Sequence, residues 1–491
     1  MGIGAALFLG VSVLARLLTL GSAAVLGRVL MPEAFGIVAY SAITVGVLTV
    51  VVDNHFDAAL IRQKEVGRDW IDTVFTVRLI FASAIALLLF ASAGLLAGLL
   101  DVPELADVFR VLTLCVLASG LFNPRFMLLE RDLNFSRVAL VEVAMQVVNT
   151  ALAIGLVLLT ESYWAAITGM VGASLTRTAL SWALVPQPLG LGLSRWRESL
   201  GFSSWLVLLA VLNALSGQID RIVTGALLGL SVLGRFRFGA ELASSAVYLV
   251  QRPLVRVAYP GLAAARSKGI HVGAAFLRFQ ALVLIATAPM AVAASAVAPW
   301  IVRILVGEPW PEAVLTLQVL GLLPILQTLT AGTNSLLLVD GRTWISFTRQ
   351  LMTFLLSIPL FWYGGTHHGL VGILGAAWVT ALLATLLTLL VILRVAGLSL
   401  LDLVLALRGV IVGTALSAAA AYGLASALPP AGGASIALSL LACTAITIAA
   451  FAAHGAGVFG AWLLLGRPPG AEAAIVEILA HRLTGRAPRR S

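Results

Sequence analysis

Apolar runs of about 20 residues recur along the whole chain, separated only by short polar turns. That is the length a helix needs to cross a hydrocarbon core. Fourteen runs are discernible, near 3–27, 36–56, 73–99, 108–128, 138–160, 163–184, 203–227, 236–259, 274–300, 313–338, 345–364, 369–394, 404–428 and 434–465. A soluble domain carries about 25% charged residues, whereas here 11% are charged and 60% are hydrophobic. No polar segment is long enough to fold in water by itself. Strands are excluded as spanning elements, because the runs lack the ten-residue alternation of an outer-membrane barrel and lipid demands internally bonded backbone. The sequence predicts an all-α polytopic membrane protein of about 14 transmembrane helices. The first run contains Arg16 and no small-residue cleavage site, so it reads as a retained helix.

The loops orient these spans, since cytoplasmic loops are enriched in Lys and Arg. Loops after even-numbered spans carry Arg62, Lys64 and Arg68, then Arg125, Arg131 and Arg137, then Arg195 and Arg197, then Arg266 and Lys268, then Arg342, then Arg394 and Arg408. The opposite loops 101–107, 160–164, 307–313, 363–369 and 428–435 contain neither Lys nor Arg; Arg28, Arg235 and Arg237 are the exceptions. One missed helix would scramble this alternation, so both termini are expected on the cytoplasmic side of a bacterial inner membrane. The net charge of +9 is therefore read as topology. It is spread over loops and helix ends without stacking aromatics, which argues against nucleic-acid binding. In the basic tail, Ile475, Ile478, Leu479 and Leu483 share a helical face, which suits a helix lying on the inner leaflet.

Cys115 and Cys443 lie in apolar runs and offer no disulfide framework or metal-ligand spacing. The adjacent His367 and His368 make no metal site. Nucleotide P-loop, zinc-protease and nucleophile-elbow signatures are absent from the sequence. No enzyme chemistry and no cofactor are expected.

Residues 27–41 resemble residues 225–239. Gly27 aligns with Gly225, Leu30 with Leu228 and Gly36 with Gly234, all at an offset of 198. Six spans is an even number, so the implied repeat is parallel. This predicts a six-helix lobe at 1–185, a cytoplasmic linker at 186–199 and a second six-helix lobe at 200–396. Transmembrane helices 13 and 14 follow at 397–466, then a basic cytoplasmic tail at 467–491. A transporter so built places its site between the lobes.

The run 15–65 resembles the opening of Wzx-type oligosaccharide flippases, in the branch serving colanic acid and similar exopolysaccharides. These belong to the multidrug/oligosaccharidyl-lipid/polysaccharide (MOP) superfamily. The resemblance rests on the Gly-Arg-x-Leu-x-Pro-x-x-Phe-Gly turn at 27–36, the Asp-x-x-x-x-x-Ala-Leu-Ile segment at 53–61 and the Gln-x-Asp-Arg element at 218–221. It covers roughly 10–395; the last two spans match only in count. It implies two six-helix lobes around a central cavity plus two added helices. It further implies alternating access, with an undecaprenyl-pyrophosphate-linked oligosaccharide as cargo and membrane lipid as surroundings. A polysaccharide polymerase and co-polymerase are further candidate partners. The N-terminal cytoplasmic segment is shorter than the family pattern, consistent with a start lying further upstream.

Charged side chains at membrane depth are costly and usually face a bundle interior or water. Arg16, Arg78, Arg177, Arg221, Arg252 and Arg256 are the candidate substrate-binding residues, because a planar guanidinium donates bidentate hydrogen bonds to phosphate oxygens. The competing reading for Arg16 is a pair with a carboxylate on another helix. For Arg78 and Arg349 it is snorkelling to the headgroups. Asn213, Gly217, Asp220 and Thr224 form a polar stripe on the seventh span. Glu142, Asp220 and Glu241 are candidate ion-coupling carboxylates, with salt bridges to arginines as the alternative. Asp53 reads as a helix cap.

The reading of the whole is a flippase carrying lipid-linked repeat units to the periplasmic leaflet for surface polysaccharide. The alternatives are a multidrug or lipid II exporter of the same superfamily, or a polysaccharide polymerase or ligase. A drug exporter usually carries an acidic residue in the first helix of a lobe, where this chain has Arg16. A polymerase needs a large outer loop, and every outer loop here is short. The topology makes a direct prediction: reporter fusions at Ser162 and Pro430 behave as periplasmic and a fusion at Gly341 as cytoplasmic. A Gly341 fusion found outside refutes it.

Overall fold

The computed structural model describes residues 2–53, 67–131, 135–186, 190–197, 208, 210–256, 258–267, 269, 271–307, 310–339, 343–468 and 470–484. Every regular element among them is helical. The principal helices are α1 (Gly2–Val29), α2 (Pro32–Asp53), α3 (Arg68–Leu99), α4 (Leu105–Gly120), α5 (Phe135–Thr160), α6 (Trp164–Leu184) and α7 (Ile219–Arg256). They continue with α8 (Ala258–Ser267), α9 (Val272–Ala296), α10 (Ala298–Val306), α11 (Pro311–Leu320), α12 (Leu323–Leu329), α13 (Thr333–Val339) and α14 (Thr343–Ala396). The last are α15 (Leu400–Ala427), α16 (Ile436–Leu464) and α17 (Ala471–Thr484).

Nine stretches of the described residues are long and apolar enough to cross a membrane. Two of them, 219–267 and 344–396, run for 49 and 53 residues. At a rise of about 1.5 Å per residue each exceeds twice a hydrocarbon core of roughly 30 Å. Each is interrupted at a glycine with positive φ, Gly229 (φ 82°) and Gly369 (φ 57°), so each holds material for two crossings. The run expected as one span at 313–338 is three short helices, α11 to α13. It breaks at Gly321–Leu322 and again at Thr330–Gly332, within the polar segment 327–335.

Contacts divide the chain into two compact units. The first comprises residues 1–237 with 361–373, and the second 238–360 with 374–491. In the first, α3 packs against α4, α5 against α6, and α1 along α5. Ile37, Tyr40, Ile43, Leu89, Leu105, Leu112 and Ile167 meet in one apolar core. On α3, Leu87, Leu88, Leu95 and Leu99 are exposed. On a chain with this many apolar spans, such a face suits contact with lipid. Residues 190–197 lie along α3, where Thr76 Oγ1 accepts the Gly192 N–H (3.0 Å) and the Arg195 guanidinium covers the Trp70 ring (5.7 Å).

The two segments aligned at an offset of 198 residues pack on each other within this unit. A methyl group at Gly36 would strike the Leu230 carbonyl, and one at Gly234 would lie 2.5 Å from the Pro32 carbonyl oxygen. Pro32 and Leu230 are themselves 198 apart, so the contact is reciprocal, as across a local twofold axis. Tyr40 fills the space over Gly225, and the Arg237 guanidinium donates to the Val38 carbonyl (2.7 Å).

In the second unit α15 and α16 pair through small residues, with Gly457 set directly against Gly413. Bare backbone contacts of this kind give close van der Waals packing where lipid offers no hydrophobic drive. A capping box between Ser399 and Asp402 starts α15, and Ser435 caps α16 by accepting the Leu438 N–H (3.2 Å). Val292, Ala296 and Trp300 pack with Ala421, Ile446 and Ala450 to hold this pair to α9 and α10.

The reciprocal glycine contact yields a stability prediction. Gly234→Val places a branched side chain against backbone that cannot retreat, at a cost of about 1–3 kcal/mol. Gly261→Ala, whose new methyl meets open space, serves as the control. Thermal unfolding in detergent should show a lower midpoint for Gly234→Val and an unchanged one for Gly261→Ala.

Candidate functional site

The most enclosed cation among the described residues lies in the first unit. Arg78 of α3 is fully buried, and its guanidinium sits 5.3 Å from the centre of the Phe122 ring. Arg177 of α6, half-buried, covers the same ring at 4.4 Å. Phe122 follows the end of α4, so three helices bring two positive charges to one buried aromatic ring. Cation–π attraction strengthens as both partners leave water, which offsets part of the cost of holding guanidiniums at this depth.

The ring is held by a set of polar bonds between the end of α4 and α6. Ser181 Oγ accepts the Asn123 N–H (3.1 Å), and the Asn123 amide donates to the carbonyls of Ser181 (3.2 Å) and Val185 (2.7 Å). Thr178 donates to the Ala118 carbonyl (2.7 Å), and the Trp182 indole to that of Leu121 (2.8 Å). These satisfy carbonyls freed where α4 ends. They also fix the position of Arg177, which lies one residue before Thr178.

The other expected site residues are placed as follows. Arg16 on α1 and Glu142 on α5 are half-buried, and both are engaged in interactions on helices that pack together. At the start of α7 the chain turns at Gly217–Gln218 before resuming as helix. Asp220 accepts the backbone N–H of Arg221 (2.8 Å), while the Arg221 guanidinium donates to Gln218 Oε1 (2.6 Å). The Gln-x-Asp-Arg element is thus a self-bonded turn in which the two charged side chains take different partners. Thr224 closes it by donating to the Asp220 carbonyl (2.6 Å). Of the polar stripe, Thr224 is buried, Asp220 half-buried, and Asn213 and Gly217 exposed.

In the second unit Glu241 is half-buried and engaged, and its carbonyl accepts the Ser245 hydroxyl. Arg252 and Arg256 belong to the backbone of α7, but their side chains lie outside the described residues, as do residues 54–66 of the segment carrying the family resemblance. Arg349 of α14 donates to Thr388 Oγ1 (2.6 Å) on the same helix and to Asn334 Oδ1 (3.4 Å) on α13.

Sequence reading alone passed over a second polar cluster, around the broken tenth run. Gln280 of α9 donates to the carbonyls of Leu329 (2.9 Å) and Ala331 (2.7 Å), and Gln251 donates to Thr328 Oγ1 (3.0 Å). Tyr248 donates to Gln327 Oε1 (3.0 Å). The available signal was the run Gln-Thr-Leu-Thr-Ala-Gly-Thr-Asn-Ser at 327–335, too polar for an unbroken lipid-facing helix.

The chain as a whole is similar to several known proteins. A teichuronic acid biosynthesis protein, TuaB of Bacillus subtilis (strain 168), is 22% identical over 68% of this chain and 70% of its own length. The lipopolysaccharide biosynthesis protein WzxC of Escherichia coli (strain K12) is 21% identical over 71% of this chain and 72% of its own. Among solved structures, the lipid II flippase MurJ in an inward closed conformation superposes with a TM-score of 0.76 at 13% identity. The match covers 93% of this chain and 99% of that one. At that identity the likeness speaks for the fold alone. The model of a family described as "Polysaccharide biosynthesis protein" matches residues 25–315, more than half of the chain. The chain belongs to this polysaccharide biosynthesis family, as a multi-span membrane protein.

Proposed function

We propose that the protein carries undecaprenyl-pyrophosphate-linked oligosaccharide repeat units from the cytoplasmic to the periplasmic leaflet of a bacterial inner membrane, by alternating access, with both termini cytoplasmic. The observation that carries this reading is the pair of guanidiniums on the Phe122 ring. A pyrophosphate is a compact, multiply charged anion with oxygens in fork geometry, which guanidiniums match with paired hydrogen bonds. A drug-like cation would be repelled by the same two charges. In this reading Arg177, half-buried, meets the pyrophosphate, and Arg78, enclosed, holds the ring against which Arg177 is set. Arg16, Arg221, Arg252 and Arg256 extend the cationic path. Glu142, Asp220 or Glu241 takes up a proton to reset the empty carrier. The polyprenyl tail stays in lipid throughout, and a polymerase takes the repeat unit after release.

Membrane potential would assist such transport, since each negative charge moved outward through an inside-negative field gains about 2.3 kcal/mol per 100 mV. Two measurements test the reading. A deletion strain should accumulate the lipid-linked repeat unit on the inner leaflet and lose surface polysaccharide; export of single, unpolymerised repeats would favour a polymerase instead. In membrane vesicles Arg177→Lys keeps the charge without the fork and should transport at a reduced rate, whereas Arg177→Ala should be inactive at equal protein level. Flipping should also slow when the potential alone is collapsed. Wild-type transport by Arg177→Ala would remove the cationic mechanism.

A further inference from the structure

At one end of the second unit, α9, α15, α17 and the turn between α16 and α17 enclose a cavity of about 260 Å³ that the translocation reading leaves unused. Its lining includes Arg278 of α9, Arg408 of α15, Trp462 of α16 and Glu472 of α17. Glu472 is only 8% exposed, and among the described residues its carboxylate forms neither a hydrogen bond nor an ion pair. Neither arginine reaches salt-bridge distance of it, although both line the same space. The local structure holds this carboxylate at the cavity wall. The Trp462 indole donates to the Pro468 carbonyl (3.0 Å), which sets the turn leading into α17. Gly409 leaves the room, since a methyl there would lie 2.8 Å from Glu472 Oε1.

The cavity thus separates two positive groups from one negative group across an empty space, and it calls for a ligand bearing the opposite charges at the same separation. Its mouth indicates where that ligand comes from. Leu405 and Leu465, which also line the cavity, are about half exposed and lead out to the apolar exterior. The volume falls below the ~300–1,000 Å³ of pockets for drug-sized ligands, which suits a headgroup and not a sugar chain.

We propose that this cavity binds the headgroup of a phospholipid carrying both a phosphate and a primary ammonium, phosphatidylethanolamine. The phosphate sits on Arg278 and Arg408, the ammonium sits on Glu472, and the acyl chains run out past Leu405 and Leu465. The bound headgroup supplies the missing partner of Glu472 and clamps α17 onto α9 and α15.

The test uses the full chain in nanodiscs of equal phosphatidylethanolamine and phosphatidylglycerol, with retained lipid counted by native mass spectrometry. Wild type should retain phosphatidylethanolamine over phosphatidylglycerol. Glu472→Gln removes the ammonium partner and should lower that ratio about tenfold, the scale of one hydrogen bond to a charged group. Arg278 is exposed, so Arg278→Gln leaves folding intact and should reduce retention of both lipids about fivefold with an unchanged melting midpoint. A wild-type preference for phosphatidylglycerol, or an unchanged ratio in Glu472→Gln, overturns the proposal. So does displacement of the lipid by an equal concentration of free phosphoethanolamine, which would make the site one for a soluble ligand.

Discussion

Inside a bilayer every backbone N–H and C=O must find its partner within the protein, and the rest of this molecule follows from that demand. It leaves helices as the spanning element, and it makes each departure from helix an event that needs repair. Repairs are visible at three of the breaks. At the end of α4 the freed carbonyls of Ala118 and Leu121 are taken by Thr178 and Trp182 of α6. In the tenth run, where α12 stops, Gln280 bonds both Leu329 and Ala331. At the start of α7, Asp220 takes the Arg221 N–H. Each repair uses a polar side chain that a purely apolar span would not carry.

The same accounting applies to charge. A guanidinium at membrane depth persists when its surroundings stand in for water. For Arg78 and Arg177 that surrounding is the face of Phe122; for Arg221 it is Gln218, three residues away; for Arg349 it is Thr388 and Asn334. These arrangements differ in what they leave available. Arg78 is wholly enclosed, whereas Arg177 keeps part of its surface open, so the two arginines on one ring are suited to different tasks. Glu472 is the contrasting case, a buried carboxylate facing a cavity in place of a partner.

Close approach of backbones supplies the remaining cohesion. Gly36 and Gly234 bring two chain segments, alike in sequence, into reciprocal contact, and Gly413 with Gly457 does the same for α15 and α16. Both permit van der Waals contact along a line where a side chain would hold the helices apart.

The fold class, the helical spans and the family were written in features that need no tertiary context: length of apolar run, scarcity of charge, and the Gly-Arg-x-Leu-x-Pro-x-x-Phe-Gly turn at 27–36. Span length is set by bilayer thickness, an external ruler, so it survives in a one-dimensional reading. Where helices stop is less local. The tenth run reads as one apolar span; its polar segment 327–335 hints at a break, but the partner of the open carbonyls there, Gln280, lies some 50 residues earlier in the chain. The candidate site was legible as residue types and not as an arrangement. Arg78 and Arg177 were identifiable as charges in apolar runs, but their common partner Phe122 carries no sequence signal, being one of 20 phenylalanines. Asp220 and Arg221 stand out as adjacent charges, but only the structure shows that the Asp220 carboxylate takes the Arg221 N–H while the guanidinium goes to Gln218. The cavity at Glu472 was invisible, since its walls come from residues nearly 200 positions apart. Hydropathy and local motifs are properties of consecutive residues, so the sequence by itself determined solvent, element type and kinship. Which charges are enclosed, which share a ring and which face an empty space depends on packing between distant helices, and only the tertiary structure decided it.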